Sequence, residues 1–321
     1  MKGFLKVGGL AAALIILFAV FSFLLPNSFP TASNLEKMLR QVVIVGLVSV
    51  GMTYVIASGG IDLSVGSMVA LVSVATALAV KMGVPPLAAI FIGVLVGAIC
   101  GLINGLLVAW LKVGSFIVTL AGLLAFRGAA KGLGNERTVN PPDTWLSGLM
   151  SAVPANSKWM LFPPGVWILL AVVGIAAFIM NATVFGRNTV AVGSNAETSR
   201  LSGISPAKIT ILVFTLCGAL AGLAGVMLFS RLTIGDPTVA QGLELSVVAA
   251  VVIGGASLQG GEASCVGSLL GALIMVTIDS GSSQLGWSNW VQEIVTGGII
   301  VGAVALDRWR ISRSESKLKP A

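Results

Sequence analysis

GRNTVAVGSNAETSRLSGISPAK, residues 186–208, is a polar interruption with long apolar runs on both sides, and the rest of the chain is organised around it. Within it, Ser194-Asn195-Ala196-Glu197 has capping-box spacing: the serine oxygen accepts from the amide three residues on while the glutamate reaches back. The spacing predicts a helix that begins near Asn195. It should end near Ser202, because Gly203 can take the left-handed conformation that closes a helix and Pro206 cannot continue one. About two turns are marginal in water, so a surface outside the membrane must hold this helix in place. The plainer reading is a simple link between two spans; the cap, the stop and a length beyond a tight connection argue against it.

Composition decides the class of the regions around this loop. The chain of 321 residues is 56% hydrophobic and only 10% charged, and its apolar stretches outrun any soluble core helix, so the fold class is all-α and the protein a polytopic membrane protein. A net charge of +7 would suggest nucleic acid in a soluble chain. Here most basic residues lie between or beyond apolar runs, where the membrane-orientation rule accounts for them, and no nucleic-acid partner is expected. The sequence has no histidine, which removes the commonest general base and most metal sites. Cys100, Cys217 and Cys265 stand singly in apolar runs and read as small buried hydrophobes. No nucleophile, base and orienting group occur together, so an enzyme is not expected. Nor is there a Gly-x-x-x-x-Gly-Lys-Ser/Thr loop; no cofactor is expected on this chain, and ATP-driven work requires another polypeptide to bind the ATP.

Counting apolar runs of roughly 20 residues predicts ten spans in one domain, 1–321. They run near Val7–Leu25, Gln41–Ala57, Leu63–Val80, Leu87–Leu111, Val113–Ala130, Leu161–Met180, Ile209–Phe229, Leu243–Gly255, Val266–Ile278 and Trp290–Leu306. The first is too long for a signal peptide and lacks a cleavage site before Pro26, so it is expected to be retained. The eighth and ninth are short, and read as tilted, broken or partly re-entrant. An even count puts both termini on one side. Lys2, Lys6, Arg308, Arg310, Arg313, Lys317 and Lys319 mark that side as cytoplasmic, and alternate counting puts residues 186–208 there too. The long connection near 131–163 then lies outside, with Pro141, Pro142, Pro154, Pro163 and Pro164 plus Trp145 and Trp159; it reads equally as a mobile linker or as a docking platform. Two halves of five spans in series must run in opposite directions, which predicts an inverted 5+5 arrangement. The only echo noted is Gly59-Gly60-Ile61-Asp62-Leu63-Ser64 against Gly254-Gly255-Ala256-Ser257-Leu258, which does not fall on equivalent spans.

Between Val42 and Val80 the chain must turn at SGGIDLSVGS without a real loop, at the surface or in a protein-lined cavity. Gly59 and Gly60 permit the bend, Asp62 is placed to cap the next helix, and Ser64 and Ser67 add hydroxyls along its first turns. Asp62 reads either as that cap alone or as part of a broken segment lining a translocation path. Asn104 reads as an interhelical hydrogen bonder or a ligand contact, and Glu244 as a first-turn acid or a pathway carboxylate. Gly254, Gly255, Gly260 and Gly261 bracket a second tight turn. The tentative path set is therefore Gly60, Asp62, Ser64, Ser67, Asn104, Glu244 and Gly255.

Three stretches carry a resemblance. Residues 186–204 resemble the cytoplasmic coupling loop of monosaccharide ABC importer permeases, the ribose, xylose, arabinose and galactose group; Gly186, Arg187, Gly193, Asn195, Glu197, Arg200, Leu201 and Gly203 fit its outline. GGIDLSVGSMVAL and residues 242–271 are similar to two further stretches of that family, with Cys265-Val266-Gly267-Ser268 departing from its usual pattern. The resemblance implies the transmembrane permease subunit of a bacterial inner-membrane sugar importer, a carbohydrate import system. It would pair with a second copy or a sister permease, dock its coupling helix on two ABC ATPase subunits or a fused tandem ATPase, and receive sugar from a periplasmic binding protein. The alternatives are a permease for branched-chain amino acids or a furanone-like signal, or an ion-coupled secondary transporter, which would need ionisable groups at mid-membrane where Asp62, Glu244 and Asp279 are expected nearer span ends.

Overall fold

The computed structural model describes residues 2–152 and 161–316, which form twelve α-helices and one 3-10 turn, Trp145–Leu149. The helices are α1 Lys2–Leu24, α2 Ala32–Ala57, α3 Val65–Lys81, α4 Pro86–Leu111, α5 Ser115–Leu133, α6 Pro164–Ala182, α7 Val184–Ser194, α8 Ala196–Leu201, α9 Pro206–Leu232, α10 Leu243–Ile253, α11 Cys265–Gln284 and α12 Asn289–Ser316. Seven of them, α1, α2, α4, α5, α6, α9 and α11, are long and apolar enough to cross a bilayer. The chain is a multi-pass, all-helical membrane protein. The third and eighth expected spans appear as the shorter helices α3 and α10, of 17 and 11 residues.

The ninth expected span departs from its reading as short. Val266–Ile278 is the apolar part of the 20-residue α11, whose polar last turn is accommodated inside the protein. Ser280 Oγ and Gln284 Nε2 donate to Asn34 Oδ1, at 3.2 and 2.7 Å, so buried polar groups find partners and the helix continues.

Helix α2 is apolar around its whole circumference and is buried continuously from Val42 to Ala57, which makes it the central pillar. It packs on α9, α10, α11 and α6; α9 in turn packs on α3 and α4. The α4–α9 seam is the tightest. A Cβ on Gly97 would stand 2.3 Å from the Gly218 carbonyl oxygen, and one on Gly101 would stand 2.2 Å from that of Phe214, so small residues are what let these two backbones touch. The outer helices α4, α5 and α6 expose Phe91, Trp110, Phe116, Leu124 and Phe178, the face expected toward lipid.

Two ends can be assigned from contacts alone. At one, Arg40 Nη1 donates to the Met150 carbonyl (3.3 Å), Ser230 Oγ donates to that of Leu146 (2.5 Å), and Val139 pairs with Gly235 across a short antiparallel bridge. Leu146 and Met150 are fully buried there, so the described part of the long connection is an ordered cover and the mobile-linker reading fails for it. Pro154 and Trp159 lie outside the described residues, as do Lys317 and Lys319. At the opposite end, the turns after α2 and α10 meet α7.

Candidate functional site

The polar interruption folds as two helices where one was expected. Thr183 caps α7 by accepting from the Gly186 N–H (3.3 Å), and α7 runs on to Ser194. Asn195, not Ser194, caps α8: its Oδ1 accepts from the Thr198 N–H at 2.8 Å. Ser194 Oγ instead donates back to the Val190 carbonyl, and Glu197 turns to Arg200, accepting from its Nη2 (2.6 Å) and Nε (3.2 Å), so the capping box does not form. The reason is that Ser194 is already the last residue of α7 and its backbone is committed to that helix. The expected end is as read: Ser202 terminates α8 and Gly203 takes φ +82°, followed by Ser205 capping α9 with Pro206 in its first turn.

Residues Asn195, Glu197, Arg200 and Leu201 are exposed at the tip, Leu201 at 76%. Arg200 holds the Glu197 carboxyl below the usual range through its hydrogen bonds, so the pair stays charged at neutral pH. Arg187 is exposed as well, on α7. Of the three glycines of the set, Gly203 has open space around it, whereas Gly186 and Gly193 face inward: a Cβ on Gly186 would lie 2.1 Å from the Met180 carbonyl oxygen.

Gly193 is where this lever meets the body. A Cβ there would lie 1.9 Å from the Ala57 carbonyl oxygen and 2.8 Å from the Gly261 nitrogen. Ala57 ends α2, and its carbonyl accepts from the Gly261 N–H at 3.0 Å. Gly59 and Gly260 also pack on Gly193. The three stretches singled out in the sequence therefore converge on one glycine junction, and a displacement of α7 bears directly on the turns that precede α3 and α11.

Beyond that junction the chain stays unwound from Ser58 to Ser64 before α3 starts. Asp62 is fully buried and is not the helix cap. Its Oδ1 accepts from the Ser64 N–H (2.9 Å), the Ser64 hydroxyl (2.6 Å) and Asn104 Nδ2 (3.5 Å), while Asn104 Nδ2 also donates to Ser64 Oγ (2.8 Å). Its Oδ2 and the Ser67 hydroxyl have no hydrogen-bond partner among the described residues. From α5, Ser115 Oγ accepts from the Ile61 N–H and Thr119 Oγ1 donates to the Ile61 carbonyl. The cluster pins an irregular segment that could not otherwise be satisfied inside a membrane protein.

Glu244 sits elsewhere. It is half-buried in the first turn of α10 and lines a cavity of 1470 Å³ together with Asn34, Gln41, Arg231, Asp279 and Gln284. Of the seven tentative path residues it alone lines this vestibule; Gly60, Asp62, Ser64, Ser67 and Asn104 lie outside its wall, and Gly255, with φ +93°, is in the turn after α10. Asn34, Gln41 and Gln284 carry no local signal in the sequence, being single amides on apolar helices. One signal was available. Gly60-Ile61-Asp62-Leu63-Ser64-Val65 reappears as Gly242-Leu243-Glu244-Leu245-Ser246-Val247, and the two copies open the two short helices.

A many-helix membrane body, an exposed pair of short helices and a polar vestibule are the parts a transport permease presents. The chain belongs to the family described as the permease component of the branched-chain amino acid transport system, whose model matches residues 34–304. It is 40% identical over 295 residues to the ribose import permease protein RbsC of Escherichia coli K12, covering 92% of this chain and 91% of that one. It is 36% identical to the L-arabinose ABC transporter permease protein AraH of Azospirillum brasilense over 94% of this chain and 87% of the relative. To the xylose transport system permease protein XylH of Haemophilus influenzae it is 35% identical, over 94% and 96%. No solved structure matches the chain.

Proposed function

We propose that the chain is the monosaccharide-conducting permease of an ATP-driven importer in a bacterial cytoplasmic membrane. The observation that carries the reading is end-to-end similarity, at 35–40% identity, to permeases named for ribose, arabinose and xylose. In this reading the body has ten spans, α3, α10 and α12 joining the seven long apolar helices, with both termini and α7–α8 in the cytoplasm. An inverted 5+5 arrangement is supported by exchanged packing: α9 lies on α3 and α4 as α2 lies on α10 and α11, and α3 lies on α5 as α10 lies on α12. The duplicated motif at the starts of α3 and α10 supports the same exchange.

The exposed face of α8, with Glu197, Arg200 and Leu201, docks on an ATPase subunit or one half of a fused tandem ATPase. A second copy or a sister permease completes the assembly, and a periplasmic sugar-binding protein unloads at the ordered cover around Leu146 and Met150. Closure of the ATPase pair moves α7. The junction at Gly193 passes that movement to the segments after α2 and α10, and the Asp62–Ser64–Asn104 cluster carries it as a unit into α3 and α4. Amides, hydroxyls and carboxylates around the vestibule suit the hydroxyl groups of a sugar.

Reconstitution of the chain with its ATPase and binding protein in liposomes tests this. Uptake of labelled ribose, xylose, arabinose or galactose should require ATP and should survive collapse of ion gradients. Uptake of leucine in place of any sugar, or uptake abolished by ionophores alone, would replace the reading with one of its rivals.

A further inference from the structure

The segment between α9 and α10, residues 233–242, is not helical, yet it is tied down along its length. Gly235 exchanges backbone hydrogen bonds with Val139 (2.7 and 2.9 Å). Asp236 Oδ1 accepts from the Thr238 N–H (2.8 Å) and hydroxyl (2.7 Å). Arg127, on α5, donates from Nη1 to the carbonyl oxygens of Pro237 (2.9 Å) and Val239 (2.6 Å). Ala240 is held at φ +59°, which a residue with a Cβ rarely adopts.

What this segment covers is the first turn of α3. A Cβ on Gly66 would stand 2.3 Å from Glu244 Oε2 and 2.5 Å from the Ala240 carbonyl oxygen, so α3 and α10 meet start to start with no room for a side chain. On the other side, Val239, Ala240, Gln241, Gly242 and Glu244 line the vestibule. The 11 residues of α10 extend roughly 16 Å, about half of a bilayer's hydrocarbon thickness, so this contact lies deep rather than at a surface. An arginine inside a membrane body is unfavourable unless it is used, and this one is spent on carbonyls that no helix satisfies.

We infer that residues 237–244 form the closed floor of the vestibule, that Arg127 is the positioning residue that holds this floor against Gly66, and that the floor must leave Gly66 for solute to pass. The inference rests on the permease reading.

The test uses the full assembly in liposomes. A Ser67→Cys substitution places a thiol one residue past Gly66, at a fully buried position, and Cys100, Cys217 and Cys265 are themselves buried, so the background of labelling by a membrane-impermeant thiol reagent is low. Adding Arg127→Gln should raise the labelling rate, and the leak of labelled monosaccharide without ATP or binding protein, by about ten-fold or more, the population shift expected when charge-assisted hydrogen bonds are lost. Arg127→Lys, which keeps the charge and a donor, should restore most of the closure. Should Arg127→Gln fail to insert, Glu244→Ala removes only the carboxylate over Gly66 and carries the same expectation. Unchanged labelling in whichever of the two inserts overturns the inference. Labelling needs no sugar, so it is separable from the permease reading, which fails instead if the unsubstituted assembly takes up no sugar with ATP and binding protein present.

Discussion

Substitution of Gly193 by alanine is the sharpest test of how the lever is joined to the body. The added Cβ would start 1.9 Å from the Ala57 carbonyl oxygen, where ordinary contact begins near 3.4 Å, so the junction must open by the difference, about 1.5 Å. That carbonyl accepts the 3.0 Å hydrogen bond from the Gly261 N–H. An opening of that size breaks it. Overpacking a tight contact costs ~1–3 kcal/mol and losing a buried hydrogen bond ~0.5–1.5 kcal/mol, together ~2–4 kcal/mol at a joint that has to act as a rigid body. None of this touches the exposed face of α8, so assembly with the ATPase should persist. The expected outcome is normal insertion and normal ATPase binding, with sugar uptake per ATP hydrolysed reduced about ten-fold or more, since each ~1.4 kcal/mol is a factor of ten. The assay measures uptake and hydrolysis in parallel in the same liposomes. Gly128→Ala, at a position with open space around it, is the control and should behave as unsubstituted protein. Native coupling in Gly193→Ala would refute the junction as the transmitting contact.

Further substitutions address the other elements. Glu197→Pro and Gly203→Val should leave the protein inserted but uncouple hydrolysis from uptake, the first by removing the carboxylate that accepts from Arg200 and disfavouring helical backbone at Ala196, and the second by placing a branched side chain at φ +82°; normal accumulation of sugar in both would contradict a coupling role for α8. Gly97→Val puts side-chain atoms where the Gly218 carbonyl stands and should lower the unfolding temperature in detergent, with a loss of ~1–3 kcal/mol, whereas Gly174→Ala, in open space on α6, should leave it unchanged. Asp62→Ala leaves the Ser64 N–H and the Ser64 hydroxyl without their acceptor in a fully buried cluster and should cost ~1–3 kcal/mol of stability, while Asp62→Asn keeps an acceptor and should retain most of it; equal thermal stability of the two variants would show that the cluster does not hold the bend.

Much of the fold was legible because the signals are local. Apolar run length marked every long helix, and the α8 stop at Ser202 and Gly203 was read from two residues with fixed backbone preferences. The errors have local causes too. Ser194 has a cap's spacing only if the ten residues before it are taken as loop, whereas they are helix, and α11 outruns its apolar part because its last turn is polar. Asp62 has a cap's spacing, but its carboxylate is taken by the N–H and hydroxyl of Ser64 in a turn ahead of the helix, where Asn104, 42 residues away, also reaches it. The path set was scattered for the same reason: Asp62 and Glu244 occupy equivalent places in a duplicated motif, yet one ends in a buried cluster and the other beside a cavity.

Hydrophobicity, capping chemistry and the lack of histidine or a phosphate loop are properties of short windows, and from them the sequence by itself determined a multi-pass helical transporter with an exposed lever. Where the α7–α8 pair meets the body, and which segment packs on the start of α3 beside the vestibule, depended on distances between residues far apart in the chain: Gly193 against Ala57 and Gly261, Arg127 to Val239 across 112 positions, Glu244 over Gly66. Only the tertiary structure decided these, because a glycine that relieves a turn and one that admits a neighbouring backbone are the same letter until the neighbour is in place.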